Sequence, residues 1–257
     1  MSVDPFTFEI IRHKLMRVVD EAVITLKHIS GSSTTTEGHD LLVGLYRADG
    51  GLLMAVMGYL HALPGAGEAC RHVLREYHEN PGVYDGDVFL VNDPTYGGTH
   101  LNDVMVAMPV FADGELFLFP AVRAHWLDVG GMVPGSLSGA AREIYQEGMV
   151  IPPIRVYDEG RPNDAALDLL FANCRLSEDR RGDFRAGLSA CKQAERGVVE
   201  LVERYGAETL AACIRRTMDR AEERTREQVA TIPPGEYHYE DYLETFEEGR
   251  FVPVRCC

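Results

Sequence analysis

The chain has 257 residues, and its 25 basic against 40 acidic side chains leave a formal net charge of −15. So acidic a surface repels phosphate backbones and anionic lipid, which argues against a nucleic-acid or membrane partner. No run reaches the roughly 18 apolar residues that span a bilayer, and the opening MSVDPFTFEI lacks the basic flank and apolar core of a secretory signal, so a cytoplasmic protein is expected.

Asp4 and Pro5 form an N-cap and first-turn pair, and Phe8, Ile11, Leu15, Val18, Val19, Ala22, Val23 and Leu26 follow with helical spacing, which predicts one long opening helix. Strand-like runs Leu41–Tyr46 and Leu52–Met57 meet across Ala48-Asp49-Gly50-Gly51 as a hairpin. A helix over Gly65–Tyr77 and a strand over Val88–Val91 follow. Val104–Phe111 and Glu115–Arg123 then read as two strands closed by a turn at Asp113-Gly114. Residues 130–162 are rich in glycine and proline and read as an extended active-site loop region. Helical patterns cover Ala165–Ala172, Asp179–Tyr205 and Glu208–Ala230, and Pro233-Pro234-Gly235 ends the last of them. An alternating strand pattern then begins and stops at Cys257 without an obvious partner. The six cysteines, at 70, 174, 191, 213, 256 and 257, show neither C-x-x-C spacing nor disulfide-scaffold density and read as reduced thiols. The expected class is α+β: a long N-terminal helix, a mixed or antiparallel sheet carrying the second hairpin, then a helical segment. Its expected organisation is an α+β metal-binding region over 1–162, a helical segment over 163–232, and over 233–257 the start of a β-rich region that looks truncated.

The second hairpin brings chemistry together. With Asp113 and Gly114 as the loop, Asp103 faces Ala124, His125 faces Asn102, and His100 lies one diagonal step away, all within reach on a pleated surface. An offset of three puts His100 and Asp103 on opposite faces of a regular strand, so Thr99–Asp103 must be irregular, and Gly97-Gly98 permits the bend. Two imidazoles and a carboxylate suit Fe(II), Mn(II) or Zn(II) with coordination positions left open. The same residues also suit ordinary polar groups at the mouth of a sheet.

The run from Val91 to Val104, VNDPTYGGTHLNDV, and that from Arg123 to Ser136, RAHWLDVGGMVPGS, resemble the signature of the hydantoinase B/5-oxoprolinase family. The segment Glu143-Ile144-Tyr145-Gln146-Glu147-Gly148 with Ile151-Pro152-Pro153, the stretch from Glu37 to Asp40, and the opening helix are similar to the same family, so the likeness covers the whole chain. The resemblance implies a subunit of an ATP-dependent hydrolase that opens cyclic amides of the hydantoin, 5-oxoproline or lactam type with a metal-activated water. It implies a hetero-oligomer in which a hydantoinase A-like partner binds ATP and Mg and phosphorylates the substrate. In acetone carboxylase relatives a His-x-x-Asp pair and a later His hold a metal, and those positions match His100, Asp103 and His125. Family members continue for about as many residues again, so the chain is expected to resemble only their N-terminal half.

Asp128, Glu143 and Glu147 are the candidate catalytic carboxylates, Asp128 as a fourth ligand or, in the preferred reading, a group that orients an imidazole, and the two glutamates as general bases. Asp93 is a second orienting candidate, and His39 and His61 are histidines that could approach the site. The glycines at 97, 98, 130 and 131 precede no Gly-Lys-Ser/Thr, so nucleotide is expected elsewhere. One alternative is a subunit of an acetone- or acetophenone-type ketone carboxylase, in which the same metal would stabilise an enolate. Another is a non-catalytic assembly or regulatory subunit, for which the stop at Cys257 is the support; Cys256-Cys257 is read as a strand cut short rather than a vicinal redox pair.

Overall fold

Asp4 starts the first helix by accepting hydrogen bonds from the backbone N–H groups of Phe6 and Thr7, with Pro5 at the first helical position. In the computed structural model, which describes residues 3–59, 63–77, 81–245 and 249–256, this helix (α1) runs Pro5–Ile29. His61 lies outside the described residues. Helix α1 buries the expected stripe of Phe8, Ile11, Leu15, Val18, Val19, Ala22 and Leu26.

The elements that follow are α2 (Ser33–Thr36), β1 (Leu41–Arg47), β2 (Leu52–Met57), α3 (Leu63–Tyr77), β3 (Val88–Val91), β4 (Asp103–Ala107), β5 (Val110–Ala112) and β6 (Glu115–His125). Then come β7 (Ile154–Asp158), β8 (Arg161–Pro162), α4 (Asp164–Ala172), α5 (Ser177–Tyr205) and α6 (Ala207–Ala230), with β9 (Tyr239–Glu244) and β10 (Phe251–Cys256) last. Strands β1–β8 form one sheet in the order β2-β1-β6-β4-β3-β7-β8, with β5 beside β6, and every ladder is antiparallel. The fold is α+β, as expected.

Alternation along the central strands separates two cores. Met105, Ala107, Phe119 and Ala121 pack with Ala66, Ala69 and Cys70 of α3 on one face. Val106 and Val122 point the other way and meet α5, where a Cβ at Gly187 would stand 3.0 Å from Val106 Cγ2. That face is closed by α5 with α1 packed along it.

The chain divides into two compact units, residues 1–215 and 216–257. The second contains the β9–β10 ribbon, whose residues are exposed. The C-terminal strand pattern therefore has a partner that sequence reading missed: β9 folds back onto β10. The region 130–162 is also less irregular than expected. Ile154–Asp158 joins the sheet beside β3 and carries β8 as a short hairpin, because a short edge strand needs little alternation to be recruited.

The short 3-10 turn at Pro94–Tyr96 ends at Gly97, whose φ of 96° lies in the left-handed region. A Cβ there would fall 2.2 Å from the carbonyl oxygen of Gly65 on α3. Gly97→Ala is therefore expected to cost about 2 kcal/mol through backbone strain and the clash. Urea unfolding with an unchanged slope and a lower midpoint checks this, and an unchanged midpoint refutes it.

Candidate metal centre

The site is built at the ends of β4 and β6, on the α3 face of the sheet. The Asp113-Gly114 turn has positive φ at both positions, 52° and 81°, which matches the twist of the strands it joins. Near the turn the register is the expected one, with Ala112 opposite Glu115 and Phe111 opposite Leu116. The next pair is Val110 with Leu118, so Phe117 is an extra residue in β6, a β-bulge. Every later partner moves one residue along β6. Asp103 consequently faces His125 directly, not Ala124, and directly opposed residues share a face. This corrects the register read from the sequence and brings the pair closer than it required.

His100 arrives by a different route. The Asp103 N–H donates to the His100 carbonyl, so the two residues are the first and fourth of a β-turn that leads into β4. The irregular Thr99–Asp103 stretch is this turn, and it carries His100 round to the face of Asp103. The bend before it has a second requirement: a Cβ at Gly98 would lie 2.3 Å from the Asn92 carbonyl oxygen.

Asp103 is the hub. Its side chain has no exposed surface, and Nδ1 of His100 and Nδ1 of His125 each stand 3.0 Å from one of its oxygens. A carboxylate only accepts, so each Nδ1 carries the proton in this arrangement. The backbone N–H of His100 donates to Asp103 at 3.0 Å, Thr99 Oγ1 donates to it, and the Arg123 guanidinium pairs with it. Burial by itself pushes the Asp103 carboxyl upward, but hydrogen bonds from His100 and His125 and the Arg123 charge outweigh it and hold it far below the usual carboxylate range. The hydrogen bond to Asp103 raises His100 above the ordinary imidazole value against the opposing pull of burial.

His100, Asp103 and His125 each offer a ligand atom, and these atoms lie within 4.8 Å of one another. The donor set fits a divalent first-row ion: two neutral-capable imidazoles, one permanently ionised carboxylate, and a side open to solvent through His100, whose side chain is 51% exposed. Behind Asp103 and Arg123 the space beside Gly97 and Gly98 is a cavity of about 10 Å³, room for one water at most, so a substrate must approach from the His100 side.

Sequence reading passed over two neighbours. Asp40, partly exposed, places Oδ2 3.5 Å from His125 Nδ1, and its carbonyl accepts from the His125 N–H. Arg123 sits two residues before His125 on the same face. A hydrophilic residue within an otherwise apolar strand was the available signal for Arg123, whereas Asp40, just before β1, was marked only by its place in the family-like stretch from Glu37 to Asp40.

The other candidates fall as follows. Asp128 is buried, and its carboxylate accepts from the backbone N–H groups of Gly130, Gly135 and Arg175 and pairs with the Arg175 side chain at 3.2 Å. Burial raises its carboxyl, but those backbone N–H groups and Arg175 more than offset it and leave it low. Glu143 is exposed and Glu147 half-buried, one at each end of a short 3-10 turn over Ile144–Gln146. Asp93 caps the turn at Pro94 by accepting from the Thr95 N–H. His39 is exposed, with its ring 3.1 Å from Lys27 Nζ.

The raised His100 value has a sign. In the metal-free protein, the stability from charged His100 beside Asp103 is complete below the unfolded imidazole pKa near 6.5 and is lost as pH rises through the higher folded one. An NMR titration is expected to place His100 above that ordinary value, and Asp103→Asn is expected to bring it down. A His100 midpoint unmoved by Asp103→Asn would refute the assignment.

The family profile of Hydantoinase B/oxoprolinase matches residues 4–257. The beta subunit of caprolactamase from Pseudomonas jessenii is 32% identical over 248 residues, 96% of this chain and 42% of that protein. The matching subunit of a putative D-/L-hydantoinase from Pseudomonas sp. strain NS671 is 30% identical over 95% of this chain and 42% of its own length. The chain thus spans about two fifths of the length of these two relatives. The crystal structure of the ATP-dependent caprolactamase from Pseudomonas jessenii superposes with a TM-score of 0.84 at 29% identity, over 97% of this chain and 42% of that one. A nucleotide-free structure of acetone carboxylase does so with a TM-score of 0.83 at 25% identity, over 93% and 31%. The chain belongs to the hydantoinase B/oxoprolinase family.

Proposed function

We propose that this chain is the metal-holding part of an ATP-dependent hydrolase that opens cyclic amides of the lactam, hydantoin or 5-oxoproline type. The observation that carries the reading is the convergence of His100 and His125 on the buried Asp103 carboxylate in a chain of this family. Mn, Zn or Fe would be held by these three residues, and when bound it supplies Lewis acidity to an oxygen that gains negative charge. Asp103 aims both imidazoles and keeps its own charge at any working pH. Arg123 pairs with that carboxylate and offsets its charge. Asp40 is the carboxylate seen beside His125 and is assigned as a further donor or as the acceptor of a proton from the attacking water. Asp128 shapes the loop over residues 128–136, and Glu143 and Glu147 are the loop carboxylates that could share proton transfer.

No Gly-Lys-Ser/Thr loop follows the Gly-Gly pairs, so ATP and Mg are assigned to a partner of hydantoinase A type, in a cytoplasmic hetero-oligomer. The relatives are themselves named as subunits, which supports such a partner. A second reading, a ketone carboxylase subunit, is favoured by the acetone carboxylase likeness. The higher identity to caprolactamase puts the hydrolase first.

Elemental analysis tests the site. Purified chain is expected to carry a stoichiometric divalent ion that His100→Ala with His125→Ala removes, and a folded protein that takes up no ion after supplementation refutes the reading. With the ATP-binding partner, ring opening of a lactam or hydantoin is expected; carbon from labelled bicarbonate in the product would instead select the carboxylase. In that complex, whichever of Asp40→Asn, Glu143→Gln and Glu147→Gln removes the base is expected to lower kcat roughly 100-fold or more. Three wild-type rates would exclude all three carboxylates.

A further inference from the structure

The strand that presents His125 has its support on the opposite face of the sheet, in a buried ion pair on α5. Arg180 and Asp183 are 0% and 1% exposed, and Arg180 Nε stands 2.8 Å from Asp183 Oδ2. Ion pairs this deep are costly to bury. This one also holds the Ser30–Ser32 segment. One Asp183 oxygen accepts from Ser30 Oγ at 2.7 Å and from the backbone N–H groups of Gly31 and Ser32 at 3.0 Å each. The other accepts from Ser32 Oγ at 2.6 Å. Ser32 Oγ in turn accepts from the Leu127 N–H at 3.3 Å and from Arg180 Nη2 at 3.2 Å.

The segment held this way continues into α2, and α2 reaches the metal-site residues. Thr34 Oγ1 donates to the His125 carbonyl at 2.6 Å, and the Thr34 carbonyl accepts from the Asp40 N–H at 2.9 Å. Hydrogen bonds from Asp183 to Ser32, the backbone from Ser32 to Thr34, and hydrogen bonds from Thr34 thus connect Asp183 to the backbone on both sides of the site, at His125 and at Asp40. None of these residues reaches the ligand atoms, and nothing in the candidate chemistry uses them. Without that anchor the His125 carbonyl loses its hydrogen bond from Thr34 at the end of β6, where a small displacement misplaces the ring.

We propose that Asp183, through Ser32 and Thr34, is a positioning residue for the His125 imidazole of the metal centre. The proposal rests on the metal-site reading for its purpose, and its test separates the two. The full chain is prepared as wild type, Asp183→Asn, Thr34→Val and Leu201→Ala. Leu201 is a buried residue eighteen positions further along α5, about 27 Å by helical rise, so its truncation loosens the same helix without touching those hydrogen bonds. Two readouts are taken: the imidazole 15N–1H correlations of His125 without metal, and the dissociation constant and visible spectrum of added Co(II).

The expected result is that the His125 ring signals move in Asp183→Asn and Thr34→Val and stay in place in Leu201→Ala, with Co(II) binding about tenfold weaker in Asp183→Asn. Should Asp183→Asn fail to fold, Thr34→Val, which removes a single hydroxyl, decides the matter. Ring signals unmoved in both variants, or moved as far in Leu201→Ala, overturn the positioning role even where Co(II) binds normally. Moved ring signals in a protein that gives no Co(II) spectrum uphold the positioning role and remove the metal reading.

Discussion

One buried negative charge organises this half of the sheet. The Asp103 side chain is closed off from solvent, where an unpaired carboxylate would protonate or destabilise the fold. It stays ionised because five groups converge on it: the Thr99 hydroxyl, the His100 N–H, the His100 and His125 rings, and the Arg123 guanidinium. Each needs a particular backbone shape. The β-turn from His100, the tight approach at Gly98 and the bulge at Phe117 supply those shapes. Removing any one partner would leave charge without compensation, which is why such a cluster constrains so much chain.

Beyond the cluster, the long loop after β6 is irregular in shape but held by many hydrogen bonds. Asp128 gathers three backbone N–H groups, and the Arg175 guanidinium accepts no alternative geometry because it donates to the carbonyls of Gly130, Gly131 and Val133. From the other side, buried Asn92 donates to the carbonyls of Leu101 and Met149 and accepts from the Ile151 N–H. Backbone groups that no strand or helix satisfies are thereby paired, which allows a non-repetitive segment to lie close to a site without being loose.

The two structural relatives are named for different chemistry, amide hydrolysis and ketone carboxylation, yet both superpose on this chain closely. Likeness of fold therefore does not by itself select the reaction. The solvent-facing side of the cluster lies at His100 and Asp40, both partly exposed.

Local signals in the sequence were enough for most of the architecture. The Asp4-Pro5 start and apolar spacing determined α1, the alternating runs and the Asp-Gly turn determined both hairpins, and the family-like motifs pointed to His100, Asp103 and His125. These are short-range effects, written in neighbouring residues. The sequence did not reveal the β9–β10 pairing or the recruitment of β7 and β8, because weak edge strands depend on what they pair with. Nor did it reveal the bulge at Phe117, since an extra residue in a strand costs nothing locally and is chosen by the fit of both faces across β1, β4 and β6. That choice sets Asp103 against His125. Likewise Asp40 and Arg123 at the site, and the Arg180–Asp183 pair on the other face of the sheet, meet partners far away in sequence, and only the packed fold could set them in place.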